Sequence, residues 1–462
     1  MNYSWLLVLL NVPLLQEVTR KYFIYSDLVF LGADMLVVGT VTALGLQGKL
    51  NFKNLPPAFL LLSTPFIVLT AVNHVASGHH IGIYGVGLRA TFLPVLYMLI
   101  SARYVSVVDD GYERIFQCVN AWILIIGTMA VLQVLLGKSH PINSVWGTTA
   151  LGIGDFTTSG KGVLIPGMFR PTSIFTHTGK FGQVIFTLVL FKWSYLLFAT
   201  VKRSAWPYAL MLFDLAIVLI SGQRAALMFL VLSVGIVVVC TRRHDVGGWK
   251  ILVLSTLIIG GLSGAWVAKP DMTMAVYERF ASVIAAIPIR LEGNLWLPIQ
   301  TVIEDHLISG DGLGYFTFGA RSFGGTLVYE GIKMEGLGES SLIRLSGEVG
   351  LLVATTIILA YLMLVARAWQ FYRKYSGSPA ASGALFFGIW MVCLMLWSNT
   401  ADVFANSIVT TLGFGLGGAT LCSLRSVQES EETQEGDSRD SFTNISQSHG
   451  AQNRNKLGLL QG

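Results

Sequence analysis

Charge is the scarcest commodity in this chain. Of 462 residues only 12% are charged, against 53% hydrophobic, whereas a soluble domain carries about 25% charged residues. The mean hydropathy is +0.63. No soluble fold could hide so much apolar surface, so lipid is the expected solvent. Cysteine is also rare. Cys118, Cys240, Cys393 and Cys422 sit in or beside apolar runs and form no CxxC pair. That argues against a zinc site or a structural disulfide and for small buried apolar roles. The net charge of +5 is modest and not gathered into a patch, so no nucleic-acid partner is expected. The first residues lack a basic n-region and a small-residue cleavage site, and they read as an uncleaved span. Neither an internal repeat nor an inverted symmetry is visible, which weighs against many transporter folds.

What the chain has is long apolar runs. A spanning helix needs about 20 mostly apolar residues. Candidate spans fall near 4–19, 27–46, 56–74, 82–102, 117–137, 182–200, 205–221, 224–240, 250–268, 343–365, 382–400 and 404–422. The spacing of 205–221 and 224–240 predicts a tight helical hairpin. The expected fold class is an all-α integral membrane protein, a polytopic bundle of about 12 transmembrane helices. Residues 1–422 form the membrane domain, with large loops at about 138–181 and 269–342. Within the second loop, 272–286 and 295–309 show helical spacing of apolar residues and read as amphipathic interfacial helices. Residues 423–462 are polar and acidic and read as a disordered tail.

Basic residues orient the bundle. With both termini in the cytoplasm, the short inner loops carry Lys49 and Lys53, Arg103 and Arg114, Lys202 and Arg203, Arg242, Arg243 and Lys250, and Arg367, Arg373 and Lys374. The short outer loops at 75–81, 222–223 and 401–403 carry none. That is the positive-inside pattern. Arg20 and Lys21 fall outside and run against it. The two long loops also hold basic residues, which makes the outer face suit an anionic ligand.

Charges inside a membrane are costly and mark functional candidates. Arg89 in GVGLRATFLP, Arg170 in GMFRPTSIF and Arg224 in LISGQRAAL all fall on the outer side. Three guanidinium groups there would bind phosphate oxygens bidentately. Against that, Arg224 could snorkel and Arg89 could pair with an aspartate. Asp214 reads more readily as an arginine's partner than as part of a proton path, as does Asp34. Lys192 has the reach to snorkel toward the cytoplasm. His177 could orient a substrate or move a proton, or simply be a loop residue. His79, His80 and His306 lack metal-ligand spacing, and no metal or cofactor is expected. Glu339 and Glu348 flank the 343–365 span. A carboxylate there could be a general base, though Glu348 could equally pair with Arg344 at i,i+4. GFGLGG at 413–418 reads as close helix packing, and GDGLGYF at 310–316 as a tight turn.

Four strings, in order, resemble motifs of the O-antigen ligase and O-antigen/exopolysaccharide polymerase superfamily of bacterial inner-membrane proteins. They are RPTSIFTHTGKFG at 170–182, LISGQRAAL at 219–227, VIEDHLISGDGLGYF at 302–316 and ESSLIRLSGEVGLL at 339–352. The resemblance implies a metal-independent glycosyltransferase acting at the periplasmic face on an undecaprenyl-pyrophosphate-linked glycan. It makes 269–342 a partly helical periplasmic loop. A chain-length regulator, a flippase and export machinery are the protein partners it suggests. The family's essential arginines map onto Arg170 and Arg224, with Arg89 a further candidate. Its last-motif histidine maps onto Glu339, and its asparagine onto Ser340. In the ligases that histidine is the proposed base, so the departure favours a polysaccharide polymerase with Glu339 as base. The rival expectations are a ligase that moves a finished glycan to an acceptor, and a transporter of an anionic or lipid-linked solute.

Overall fold

In lipid every backbone N–H and C=O must find a partner within the chain, and a helix does this locally. The apolar runs accordingly form helices in the computed structural model. It describes residues 3–24, 28–50, 55–108, 110–137, 140–145, 148–149, 170–198, 206–241, 292–317, 320–325, 340–375, 379–398 and 408–418, with the single positions 256, 260, 288 and 404. Apart from positions 256 and 260, the expected span 250–268 lies outside them, as do the helix 272–286, the tail 423–462 and Glu339.

In chain order the helices are α1 (Ser4–Tyr22), α2 (Leu28–Leu46), α3 (Pro57–Ser77), α4 (Ile81–Val107), α5 (Gly111–Leu136), α6 (Thr178–Phe198), α7 (Trp206–Ile220) and α8 (Arg224–Thr241). They continue with α9 (Leu297–Asp305), α10 (Ser341–Val349), α11 (Leu351–Lys374), α12 (Pro379–Ser398) and α13 (Ile408–Gly418). One antiparallel ladder of two-residue strands pairs Ser144 with Thr149 and Val145 with Thr148. Among the described residues five helices are long and apolar enough to cross a membrane: α3, α4, α5, α11 and most of α12. Shorter apolar helices lie at Leu31–Leu46, Leu210–Ile220, Arg224–Val237 and Ile408–Gly418.

Helices α6 and α12 run through the centre. Residues 181–196 are buried throughout, and Trp390 and Trp397 of α12 are among the largest fully buried side chains. Trp397 packs on Phe186 and Phe229, with ring centroids 5.9 and 5.3 Å away. Trp390 satisfies its buried indole N–H by donating to Thr187 Oγ1 at 3.0 Å. The glycines of 413–418 are where α13 approaches this centre. A Cβ on Gly413 would lie 2.0 Å from the Trp390 ring, and one on Gly418 would lie 2.1 Å from Met98. On the periphery, Leu61, Val72 and Val75 of α3 and Leu135 of α5 are exposed, which suits a lipid-facing surface and not water.

Two expectations need correcting. The run 343–365 is not one helix. It breaks at Gly350, where φ is +87°, between α10 and α11. The break leaves the first N–H groups of α11 without helical partners. Leu351 N donates instead to His306 O at 2.9 Å and Leu352 N to Leu307 O at 3.1 Å. Second, Lys192 does not snorkel, and Asp214 has no need of an arginine. Lys192 Nζ donates to Asp214 at 2.9 Å, Trp193 Nε1 donates to the same carboxylate at 3.0 Å, and both ionised side chains are buried. A point on α6 and one on α7 meet at that distance only once the helices pack, so local sequence could not pair them.

Candidate functional site

The site is built at one end of the bundle by a chain segment that is not helical. Residues 170–177 run from Arg170 to the start of α6, and together with the first turns of α6 they are held in place from three sides.

Helix α1 supplies the first hold. Its last turns carry Gln16, Glu17, Arg20 and Lys21, all buried. Lys21 Nζ donates to Thr172 Oγ1 at 2.7 Å and also to the carbonyl of Ser173. Glu17 is fully buried and accepts from Lys180 Nζ at 3.0 Å, from Thr176 N at 3.3 Å and from Thr176 Oγ1 at 3.4 Å. The basic pair Arg20 and Lys21, which ran against the loop-charge pattern, is thus part of the packed interior.

Helix α5 supplies the second hold through one residue. Gln133 Oε1 accepts from Ser173 N at 2.7 Å, and its Nε2 donates to Ser173 O at 2.9 Å and to Ile142 O at 3.2 Å. Ser173 Oγ donates to Ile126 O at 2.6 Å. Every polar group of Ser173 is therefore engaged, which keeps the residue at φ +52°. That conformation costs an L-residue about 1–3 kcal/mol and persists only where the surroundings over-determine it.

The hairpin of α7 and α8 supplies the third. Gly222 turns the chain at φ +62°, and Gln223 precedes Arg224, the first residue of α8. The Gln223 side chain lies against α6. A Cβ on Gly182 would meet it at 2.4 Å, so only glycine permits the approach. The N-termini of α6 and α8, both positive dipole ends, are thereby brought together, with Arg224 on one and His177 on the other.

His177 caps α6. Its Nδ1 accepts from Gly179 N at 3.0 Å, so the neutral ring carries its proton on Nε2. Partial burial of the ring, and then the nearby cations Lys180 and Arg170, hold its pKa below the usual histidine value. The ring is neutral at pH 7 and has an exposed edge, so it is arranged to donate from Nε2 and not to accept a proton. Arg170 is half-buried, and burial lowers its pKa. Guanidinium still remains charged. Its Nε is buried and meets no acceptor among the described residues. A cation in that state attracts an anion, because an unmatched buried donor is costly.

Arg170 is thus near enough to His177 to act on its charge, and Arg224 follows Gln223, whose side chain packs against α6. Arg89 is instead ion-paired with Asp34 of α2, the alternative that its position left open. Glu17, Lys21, Gln133 and Gln223 are the residues that sequence reasoning missed. Their signal was present as polar side chains within or at the end of apolar runs, which lipid tolerates only with partners.

The other two strings form a second assembly. The segment 306–317 lies between α10 and the α3–α4 corner. Asp311 N donates to Gly347 O at 2.9 Å and Gly312 N to Glu348 O at 2.7 Å. Asn73 Nδ2 donates to Gly310 O at 2.9 Å. Gly312 and Gly314 have φ of +113° and +91°, as a tight turn requires. Glu348 is fully buried and accepts from Arg344 at 3.1 Å, Thr317 Oγ1 at 2.8 Å and Phe316 N at 3.1 Å. Buried and bonded through both oxygens, Glu348 is a latch for this loop and not a base. Ser340 caps α10, accepting from Ile343 N at 3.4 Å. His79 stacks on Tyr315 and His80 on Phe323. Among the described residues no group of His, Cys, Asp or Glu has the geometry to hold a metal ion. No protein-family model and no curated protein matches the chain.

Proposed function

We propose that the chain is a polysaccharide polymerase that joins undecaprenyl-pyrophosphate-linked repeat units at the periplasmic face of a bacterial inner membrane. In this reading about 12 helices span the bilayer, both termini are cytoplasmic, and the corner of Arg170, His177 and Arg224 faces the periplasm. The observation that carries it is Arg170, half-buried with an unmatched donor nitrogen beside a histidine arranged to donate and two helix N-termini. That is chemistry for phosphate oxygens.

The donor's pyrophosphate would sit against Arg170 and Arg224, with the His177 Nε2–H as a further donor. The acceptor sugar hydroxyl attacks the anomeric carbon, its oxygen forming the new glycosidic bond. The bond from that carbon to pyrophosphate breaks, and the electron pair leaves with the lipid pyrophosphate. The arginines stabilise that developing charge. The hydroxyl's proton goes to Glu339, the base that the family resemblance implies. Attack opposite the leaving group inverts the anomeric configuration.

The test is to incubate purified protein with lipid-linked repeat units and size the products. Chains of many units are expected from the wild type, and Arg170→Ala or Arg224→Ala should lower turnover by about 10²–10³, as when an oxyanion donor is removed. Unchanged polymer length and yield would refute the clamp. In cells, loss of the gene should leave single lipid-linked units. Accumulation of long unattached glycan would point to a ligase instead.

A further inference from the structure

A transferase that grips pyrophosphate must also release it, because its product lipid carries the same group that its donor did. Tight ground-state binding that is not exclusive to the transition state slows turnover. The anion corner is rich in positive charge: Arg170, Arg224, Lys180 and two helix N-termini. Within it stands one fully buried carboxylate, Glu17. Its hydrogen bonds among the described residues are with the corner's own framework, Lys180 Nζ at 3.0 Å and Thr176 N and Oγ1 at 3.3 and 3.4 Å, and its charge also reaches Lys21 of the same helix. It is too buried to touch a ligand. Lys180, which it holds, lies in the first turn of α6 and is near enough to perturb His177.

We propose that Glu17 is a positioning residue of the anion corner, a fixed counter-charge that holds Lys180 and the 176–180 turn and thereby limits how tightly the corner binds pyrophosphate. The proposal rests on the reading of the corner as a pyrophosphate site. A purely structural Glu17 and a counter-charge Glu17 predict opposite signs. Removing a strut loosens the site and weakens binding. Removing a negative charge while leaving the amide to accept from Thr176 strengthens binding of an anion.

The experiment measures inorganic pyrophosphate binding to the purified full-length protein by calorimetry, for wild type, Glu17→Gln, Lys180→Gln and the double variant. One unit charge near a multivalent anion is worth on the order of tenfold in affinity at a partly solvated site. Glu17→Gln is therefore expected to bind about tenfold tighter and Lys180→Gln about tenfold weaker, with the double variant back near wild type. In the polymerisation assay Glu17→Gln should lower both KM and kcat. Weaker or unchanged pyrophosphate binding by Glu17→Gln overturns the proposal. If Glu17→Gln does not fold, as judged by a lost monodisperse peak, the pair Lys180→Gln and Glu17→Gln/Lys180→Gln decides. The double binding tighter than the single supports the counter-charge, and equal binding overturns it. Wild type that binds no pyrophosphate at millimolar concentration refutes the site reading itself, a separate result.

Discussion

Asp214→Asn is the change whose consequence follows most directly from the structure. The carboxylate sits between α6 and α7 with Lys192 Nζ at 2.9 Å and Trp193 Nε1 at 3.0 Å, and the two ionised side chains are 0% and 2% exposed. Asparagine keeps the shape but removes the charge, which leaves the Lys192 ammonium uncompensated in the bundle's interior. Breaking a buried pair from one side costs about 3–5 kcal/mol. Lys192→Met should cost a similar amount, since it strands the carboxylate. The double variant Lys192→Met/Asp214→Leu removes both charges. What remains is the Trp193 N–H without an acceptor, worth about 1–3 kcal/mol. The double should therefore be more stable than either single. Reversible unfolding by SDS in mixed micelles, followed by tryptophan fluorescence, measures this. The reasoning is refuted if either single lies within about 0.5 kcal/mol of wild type, or if the costs of the two singles add in the double. The same variants bear on the transporter alternative, in which Asp214 and Lys192 would form a path. Polymer yield per folded molecule should survive in the double, and its loss would favour transport.

Two further expectations concern single residues. Gly350→Ala should destabilise the protein by at least about 3 kcal/mol, because a φ of +87° is strained for alanine and its Cβ would meet Ile308 O at 2.4 Å. Hydrogen exchange should show the amides of 306–309 and 350–352 losing protection together, and unchanged protection there would count against the described break. His177 predicts a pH dependence. Its folded-state pKa is lowered, so below about 6.5 the unfolded chain binds the proton first. Wild type should lose stability as pH falls from there toward the folded-state value, and His177→Gln should lack that loss. Equal pH slopes for the two proteins would refute the assignment.

Much of the helical architecture was legible in the sequence, since an apolar run in lipid has helix as its local solution. The expected apolar segments from 4–19 through 224–240 reappear as helices α1 to α8 with their ends moved by a few residues, and α3, α4 and α5 among them are long and apolar enough to cross a membrane. The hairpin before Arg224, the turn at 310–316, the packing of 413–418 and the pairing of Glu348 with Arg344 were also readable, because each depends on residues close in the chain. The partner of a buried charge was not. Asp214 was assigned to an arginine and meets Lys192, 22 positions earlier. Glu17 drew no reading and Lys21 stood only as an exception to the loop-charge pattern, yet they hold residues about 150–160 positions away. The interruption at Gly350 escaped because the carbonyls that satisfy it, on His306 and Leu307, arrive from another segment. Hydropathy is a local property and by itself determined where helices form. Which charges face each other depends on how those helices pack, and only the tertiary structure decided that Arg89 goes to Asp34 and that Arg170 stands close to His177.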